Sequence, residues 1–421
     1  MPWSLILLLF FSSCAKFLPF LDNKPKNLEQ NVKSNSTTFT VFHFNIKELT
    51  TDKINDPSNQ QMLAVKKIIS KYNFDILSIN EIQYDLPGVP TLAHKTDGEN
   101  LVRFATNIGL NSSQWTPIFE PANTGSFAAR DSDGNYFVEE SELARKNADP
   151  INYGLFPAQY STAGLIRPRV SEKISINRLK WREFNPKAEP ANYTTADGRS
   201  LPSDMVLFDK NFNHAITKID GRTVHIIFLH TVPSYHFGNK KTPNYDRNAD
   251  QLKFLEWYTT GQTDIEIPLD RSRWPLIDKK DGVVIVGDLN ADVNQEANPG
   301  GQVLKRLMKT LRPWMNNPGA TNESSGFGPT PFQLSLDYIL VSTNIKILDA
   351  QVIRPESNFH SLGCSKSSMF KVKRNLRARR KIVEYFDKTK QKTCYATVSQ
   401  DYFDIKTASD HFPIFAKLSL D

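Results

Sequence analysis

Residues 283–292 read Val-Val-Ile-Val-Gly-Asp-Leu-Asn-Ala-Asp, and this run limits the fold more than any other in the chain. Four apolar β-formers closing on a glycine predict a buried strand that ends at a tight turn. Asp288 and Asn290 then stand just past the strand, on the rim of a sheet. A carboxylate and a carboxamide at that place suit the handling of a water and a metal ion. Such a site needs partners from elsewhere in the chain.

The flanking segments supply candidates. Residues 38–46 (T-F-T-V-F-H-F-N-I) predict a strand with Asn45 near its end. Residues 60–72 place Met62, Leu63, Val65, Ile68 and Ile69 at helical spacing, and 74–79 predict a second strand closing on Asn80-Glu81. Strand, helix and strand with short joins form a βαβ pattern, which puts both strands in one sheet. Further strands are predicted over 159–166, 173–179 and 224–229, the last ending on His230. Helices are predicted over 246–258 and 301–311. Residues 334–341 read as a strand with Asp337 inside it, and a charge there is costly unless paired. Residues 408–414 (A-S-D-H-F-P-I) read as the last strand. Asp131, Asp133, Asn135 and Glu142 have calcium-loop offsets, but Tyr136 stands where that loop needs glycine, so the stretch reads as a polar turn. His43, His94, His214, His225, His236 and His360 read as solvent or core residues.

At 421 residues the chain can bury a large core as one or two domains. Its net charge of +7 is concentrated. Between Cys364 and Cys394 stand eleven Lys and Arg against two acids, so the remainder is close to neutral. Met369, Val372, Leu376, Val383 and Phe386 recur there at helical spacing and predict an amphipathic basic helix. Over 366–392 it would meet nucleic acid, an anionic lipid surface or a polyphosphate, or simply pack on the domain.

At the N-terminus, 4–11 is apolar and too short to span a bilayer, and it precedes Ser12-Ser13-Cys14-Ala15. Residues 1–14 are expected to be a signal peptide. Cys14 resembles the acylated cysteine of a bacterial lipobox, or is incidental to an ordinary export signal. Residues 15–38 read as a flexible tether. The expected location is the cell envelope, as a lipoprotein facing the periplasm or the cell surface, or the exterior. Cys364 and Cys394 fit one disulfide in an exported chain, or stand as separate buried thiols. A disulfide would close a loop worth roughly 3 to 4 kcal/mol in the chain-entropy model.

Asn45, Asn80-Glu81, His230-Thr-Val-Pro, Gly287-Asp288-Leu289-Asn290, Asp337-Tyr338 and Ser409-Asp410-His411 occur in this order at strand ends or within strands. Together they resemble the endonuclease/exonuclease/phosphatase superfamily over residues 39–421, with 364–394 as a basic insertion. Asn123-Thr-Gly, Asp131-Ser-Asp-Gly and Phe156-Pro-Ala-Gln-Tyr resemble secreted bacterial phosphatase or phytase-like members. The resemblance implies an α/β fold: a four-layer α-β-β-α sandwich of two facing mixed β-sheets flanked by helices, DNase I-like. It implies a monomeric hydrolase of phosphate esters dependent on Mg²⁺, with Mn²⁺ or Ca²⁺ as alternatives.

By the same resemblance Glu81, Asn45 and Asp410 hold the metal, and Asp288 with Asn290 handles the attacking water. His411 and His230 donate to phosphate, and Asp337 aims His411. Tyr160 and Arg167 are candidates to line the cleft. The alternatives are a nuclease or lipid-headgroup phosphodiesterase, or, from another class, a surface-binding lipoprotein without catalysis.

Overall fold

In the computed structural model the described residues run from 38 to 420, except 317–318, 324–326, 328–332, 356–358, 366–379 and 388. The strands in chain order are β1 (Thr38–Leu49), β2 (Ile76–Ile82), β3 (Thr116–Phe119), β4 (Ser161–Ile166), β5 (Val170–Ile176), β6 (Phe212–Ile219), β7 (Arg222–His230), β8 (Gly282–Asp288) and β9 (Leu311–Pro313). They continue with β10 (Asn322–Glu323), β11 (Gln333–Leu334), β12 (Asp337–Ser342), β13 (Ile345–Val352), β14 (His360–Gly363), β15 (Arg380–Asp387), β16 (Lys392–Ser399) and β17 (Ile414–Leu420).

Two six-stranded sheets carry the fold, in the orders β13-β17-β1-β2-β4-β3 and β5-β6-β7-β8-β12-β9. In each, one central pair is parallel, β1 with β2 and β7 with β8, and the other pairs are antiparallel. A parallel pair needs a long crossover, and helices supply it. Gln60–Ile69 lies between β1 and β2, and Asn244–Thr260 lies between β7 and β8.

Side-chain alternation along β1 sorts the layers. Phe42, Phe44 and Ile46 pack outward with Met62, Val65, Leu101, Phe104 and Ile405, which lie on three helices. Phe39 and Val41 face the other way, in a core shared with Ile226, Val284 and Ile339 of the second sheet. Leu252, Leu255 and Leu304 of two further helices complete that core. The result is the expected α-β-β-α sandwich. His43 and Asn45 fall on the same inward face as Val41, so polar side chains of β1 point between the sheets.

The sheets meet closely where Gly164 of β4 faces the Phe228 ring of β7. A Cβ on Gly164 would come within 2.4 Å of that ring.

The chain near the basic segment departs from expectation. Val383 and Phe386 lie on strand β15, not on a helix, and β14-β16-β15 form a three-stranded antiparallel sheet. Val383 and Tyr385 point into a small cluster with Cys394, Ala396 and Val398 while Phe386 is exposed, so the period there is two. Met369, Val372 and Leu376 lie outside the described residues, as does Cys14. Cys364 and Cys394 are joined by a disulfide.

The segment before β17 is the helix Gln400–Ala408, so Asp410 and His411 sit on a helix-to-strand turn rather than within a strand. Asp337 opens β12 rather than lying inside it. Residues 131–135 form the polar turn expected, with Asp131 Oδ1 accepting from the backbone N–H of Asp133 and Asn135. Among the described residues no helix is long and apolar enough to cross a membrane.

Gly164→Ala should destabilise the protein by about 1 to 3 kcal/mol in urea unfolding, because the Phe228 ring must give way. Adding Phe228→Leu should recover part of that loss.

A second expectation concerns pH. His214 is buried between the Tyr258 hydroxyl and His225 Nδ1, each at 2.9 Å. Burial, then the neighbouring His225, lowers its pKa from the ordinary 6.5 to about 3. The unfolded chain therefore binds a proton there that the folded chain refuses. Stability should fall as pH drops from 6.5 toward 3, by up to about 1.4 kcal/mol per pH unit from this group. Urea midpoints between pH 7 and pH 4 should decline less steeply in His214→Gln.

Candidate active site

The site lies where β1 and β2 of one sheet and β7, β8 and β12 of the other bring their ends together. Its geometry begins with Gly287. That residue holds φ 151°, and a Cβ on it would lie 1.8 Å from the Leu229 carbonyl oxygen of β7. Only glycine fits there. The close pairing sets His230 beside Asp288 in register and Asp288 beside Asp337.

Asp288 is 1% exposed and sits among donors. Its Oδ1 accepts from the Asn290 backbone N–H at 2.8 Å, and its Oδ2 accepts from the Asn45 amide at 3.0 Å. His230 Nε2 lies 3.4 Å from Oδ2 and His411 Nε2 3.8 Å from it. Its own backbone N–H donates to Asn80 Oδ1 at 2.8 Å. Burial, then the charge of Asp337, pushes the Asp288 carboxyl up to about 7, against the pull of His411.

Asn290, with φ 48°, commits its amide to the Thr231 carbonyl at 3.0 Å and to Asp288 at 3.3 Å. It therefore braces the carboxylate as well as bordering the site.

Asp337 is fully buried. His411 Nδ1 donates to its Oδ2 at 2.8 Å. Burial alone would push this carboxyl up, but the His411 charge and the hydrogen bonds from His411 and His43 hold it well below the usual carboxylate range. For His411 burial acts downward, and the charge and hydrogen bond of Asp337, with Asp288 and Asp410, outweigh it and raise the imidazole to about 10. His411 is thus an imidazolium at neutral pH. Burial, then the Lys210 charge, holds His230 well below its ordinary value, so it stays neutral.

The third group is Glu81, with φ 64°, which accepts from the Asn45 amide at 3.0 Å and from the Glu48 backbone N–H at 3.3 Å. Burial, then Asp410, raises its pKa. Asp410 pairs with Lys47 at 3.4 Å. Asn45 Oδ1 is a buried acceptor with no hydrogen-bond partner. Two carboxylates that repel each other beside an unpartnered carbonyl oxygen are a donor set that suits a hard cation.

Asp288, Asp337 and His411 also offer ligand atoms within 4.8 Å of one another, close enough to hold a metal. Between those two the His411 N–H already supplies positive charge.

The structure therefore brings together Asn45, Glu81, His230, Asp288, Asn290, Asp337, Asp410 and His411, as the motif order implied. Tyr160 belongs beside them, its hydroxyl donating to Glu48 Oε1 at 3.2 Å. Arg167 does not. It follows the far end of β4, where it donates to the Phe74 carbonyl at 2.8 Å and pairs with Asp75.

Sequence reasoning passed over the residues that hold the site's parts to one another. Ser409 Oγ donates to the Asn45 carbonyl at 2.6 Å and accepts from the His411 backbone N–H at 3.0 Å. Thr321 Oγ1 accepts from the Asp337 N–H at 3.0 Å, and its carbonyl accepts from the Phe412 N–H at 2.7 Å. His43, read with the other histidines as a solvent or core residue, touches Asp337 Oδ1 at 3.0 Å. Its period-2 relation to Asn45 puts it on the same inward face of β1 but does not name the partner across the gap.

Residues 206–411, just under half of the chain, match the model of the Endonuclease/Exonuclease/phosphatase family. The matched segment contains His230, Asp288, Asn290, Asp337 and His411; Asn45 and Glu81 reach the site from outside it. The family includes phosphatases, nucleases and sphingomyelinases, and its members are generally hydrolases acting on phosphoester bonds.

Among solved structures, an endonuclease/exonuclease/phosphatase from Beutenbergia cavernae is similar at a TM-score of 0.48 and 12% identity, over 91% of this chain and 72% of that one. Beta toxin from Staphylococcus aureus is similar at 0.43 and 14%, over 90% and 99%. A mannosyl-6-phosphatase from Bacteroides thetaiotaomicron is similar at 0.41 and 11%, over 91% and 100%. No curated protein matches the sequence.

Gly287→Ala should cost about 3 kcal/mol or more, read as a lowered urea midpoint, because the new methyl meets backbone rather than a movable side chain.

Proposed function

We propose that the chain hydrolyses a phosphate ester by metal-assisted in-line attack of water. The observation that carries this reading is the pairing of one carboxylate raised to about 7, Asp288, with one imidazolium, His411, whose Nε2 lies 3.8 Å from it. Two titratable groups whose environments drive them toward opposite roles mark a base and a donor.

Asp288 takes the proton of the attacking water, and the Asn290 N–H and Asn45 amide hold its carboxylate in position. His411 donates from Nε2 to a phosphoryl oxygen as negative charge grows on it, and Asp337 keeps the ring aimed and charged. His230, neutral, offers Nε2–H as a second donor beside Asp288. Glu81, Asn45 and Asp410 would hold Mg²⁺, or Mn²⁺ or Ca²⁺ in its place, and when bound it supplies positive charge against the phosphate oxygens.

Export is part of the reading. The apolar segment before Cys14 and the Cys364–Cys394 disulfide support an oxidising compartment. The basic insertion supports an anionic setting, whether substrate or surface.

Hydrolysis should appear in a panel of DNA, RNA, sphingomyelin, inositol phosphates and a simple monoester, with EDTA abolishing it and Mg²⁺ restoring it. Asp288→Asn and His411→Ala, assayed on protein whose far-UV circular dichroism matches wild type, should each lower the rate by about 10²- to 10⁴-fold. Near-normal metal-dependent hydrolysis by either variant overturns the assignment.

A further inference from the structure

We infer that His43 is a positioning residue: it fixes the second oxygen of Asp337 and, through that carboxylate, aims His411. The inference rests on the phosphoesterase reading for its kinetic consequence and on geometry alone for the contact.

Asp337 has two oxygens and no exposure to water. Oδ2 faces His411 Nδ1 at 2.8 Å, and Oδ1 faces His43 Nε2 at 3.0 Å. An ionised carboxylate only accepts, so both rings donate to it. Two donors on the two oxygens fix the plane of the carboxyl group. With Oδ1 unpaired, the group can turn about its Cβ–Cγ bond or take up a proton, and either change moves or weakens the oxygen that holds His411.

His43 is itself held. It is fully buried, and its Nδ1 meets the Ser78 hydroxyl at 3.0 Å. Ser78 stands directly opposite it in the β1–β2 register. A chain of side chains therefore runs from Ser78 and His43 in one sheet to Asp337 in the other, then back to His411 on the turn before β17. An imidazole that served only to fill this space would bury two polar atoms where an aliphatic side chain buries none. Here both ring nitrogens have a partner, and one partner is the carboxylate behind the phosphate donor.

The test compares two amides. Glutamine places its amide nitrogen where Nε2 lies and can still reach Asp337. Asparagine places its amide where Nδ1 lies, so it keeps Ser78 and leaves Asp337. His43→Gln should hold kcat within about 3-fold of wild type. His43→Asn should lower kcat on the order of 10- to 100-fold with KM little changed. In an Asp337→Asn background the asparagine variant should add nothing further, because the two act as one unit.

Equal losses from Gln and Asn, or losses that multiply with Asp337→Asn, overturn the inference. If both His43 variants fail to fold, Ser78→Ala carries the same cycle: a kcat loss that vanishes in Asp337→Asn supports it, and full kcat overturns it.

A readout without catalysis separates this from the functional proposal. The low-field proton NMR line of the His411 Nδ1–H, identified by its loss in His411→Ala, should be kept in His43→Gln and shifted in His43→Asn. A protein that hydrolyses nothing in the panel yet shows this pattern fails the functional reading and keeps the positioning role. Hydrolysis with a line unmoved by His43→Asn does the reverse.

Discussion

The buried charge of Asp337 is the constraint from which the rest follows. It opens a strand of the second sheet, fully removed from water, and an ion in such a place is tolerable only when paired. Both of its partners come from the other sheet's side of the molecule, His43 from β1 and His411 from the turn before β17. The electrostatic need of one carboxylate thus joins the two halves of the sandwich. Apolar packing brings the sheets together over a wide area, and the directional His–Asp–His contact adds a polar tie between them.

The backbone is shaped to the same end. Gly287 lets β7 and β8 approach until no Cβ would fit against the Leu229 carbonyl, in the register that sets His230 level with Asp288. Glu81, at a register shift near the end of β2, and Asn290, just past β8, both adopt left-handed backbone angles that non-glycine residues rarely hold. Each turns a polar side chain back across a strand end instead of along it. Ser409 and Thr321 then tie the loops to the strands through hydroxyls that bond on two sides. The local environments differ sharply within a few ångströms. Asp288 is pushed up by burial and by Asp337, while Asp337 is held down by the imidazolium that it stabilises. Identical side chains gain opposite protonation preferences from position alone.

The sequence by itself determined the first βαβ unit, the strands that end at His230 and Asp288, the helix over 246–258, and which acids, amides and histidines could form a site. It did so because alternation and helical period are local, and because acids, amides and histidines at strand ends stand out against apolar runs. It misread 380–387 as helix, since an apolar spacing of three to four residues across a charged segment cannot be told from a strand until its partners are known; β16 supplied them. It placed Arg167 at the cleft, while strand direction puts that residue at the opposite end of β4. It left His43 among the histidines read as solvent or core residues. Only the tertiary structure decided that one, because the role of a buried polar side chain is set by what lies across the gap between sheets. Residues 43 and 337 are 294 positions apart, and nothing local to either encodes the 3.0 Å between them.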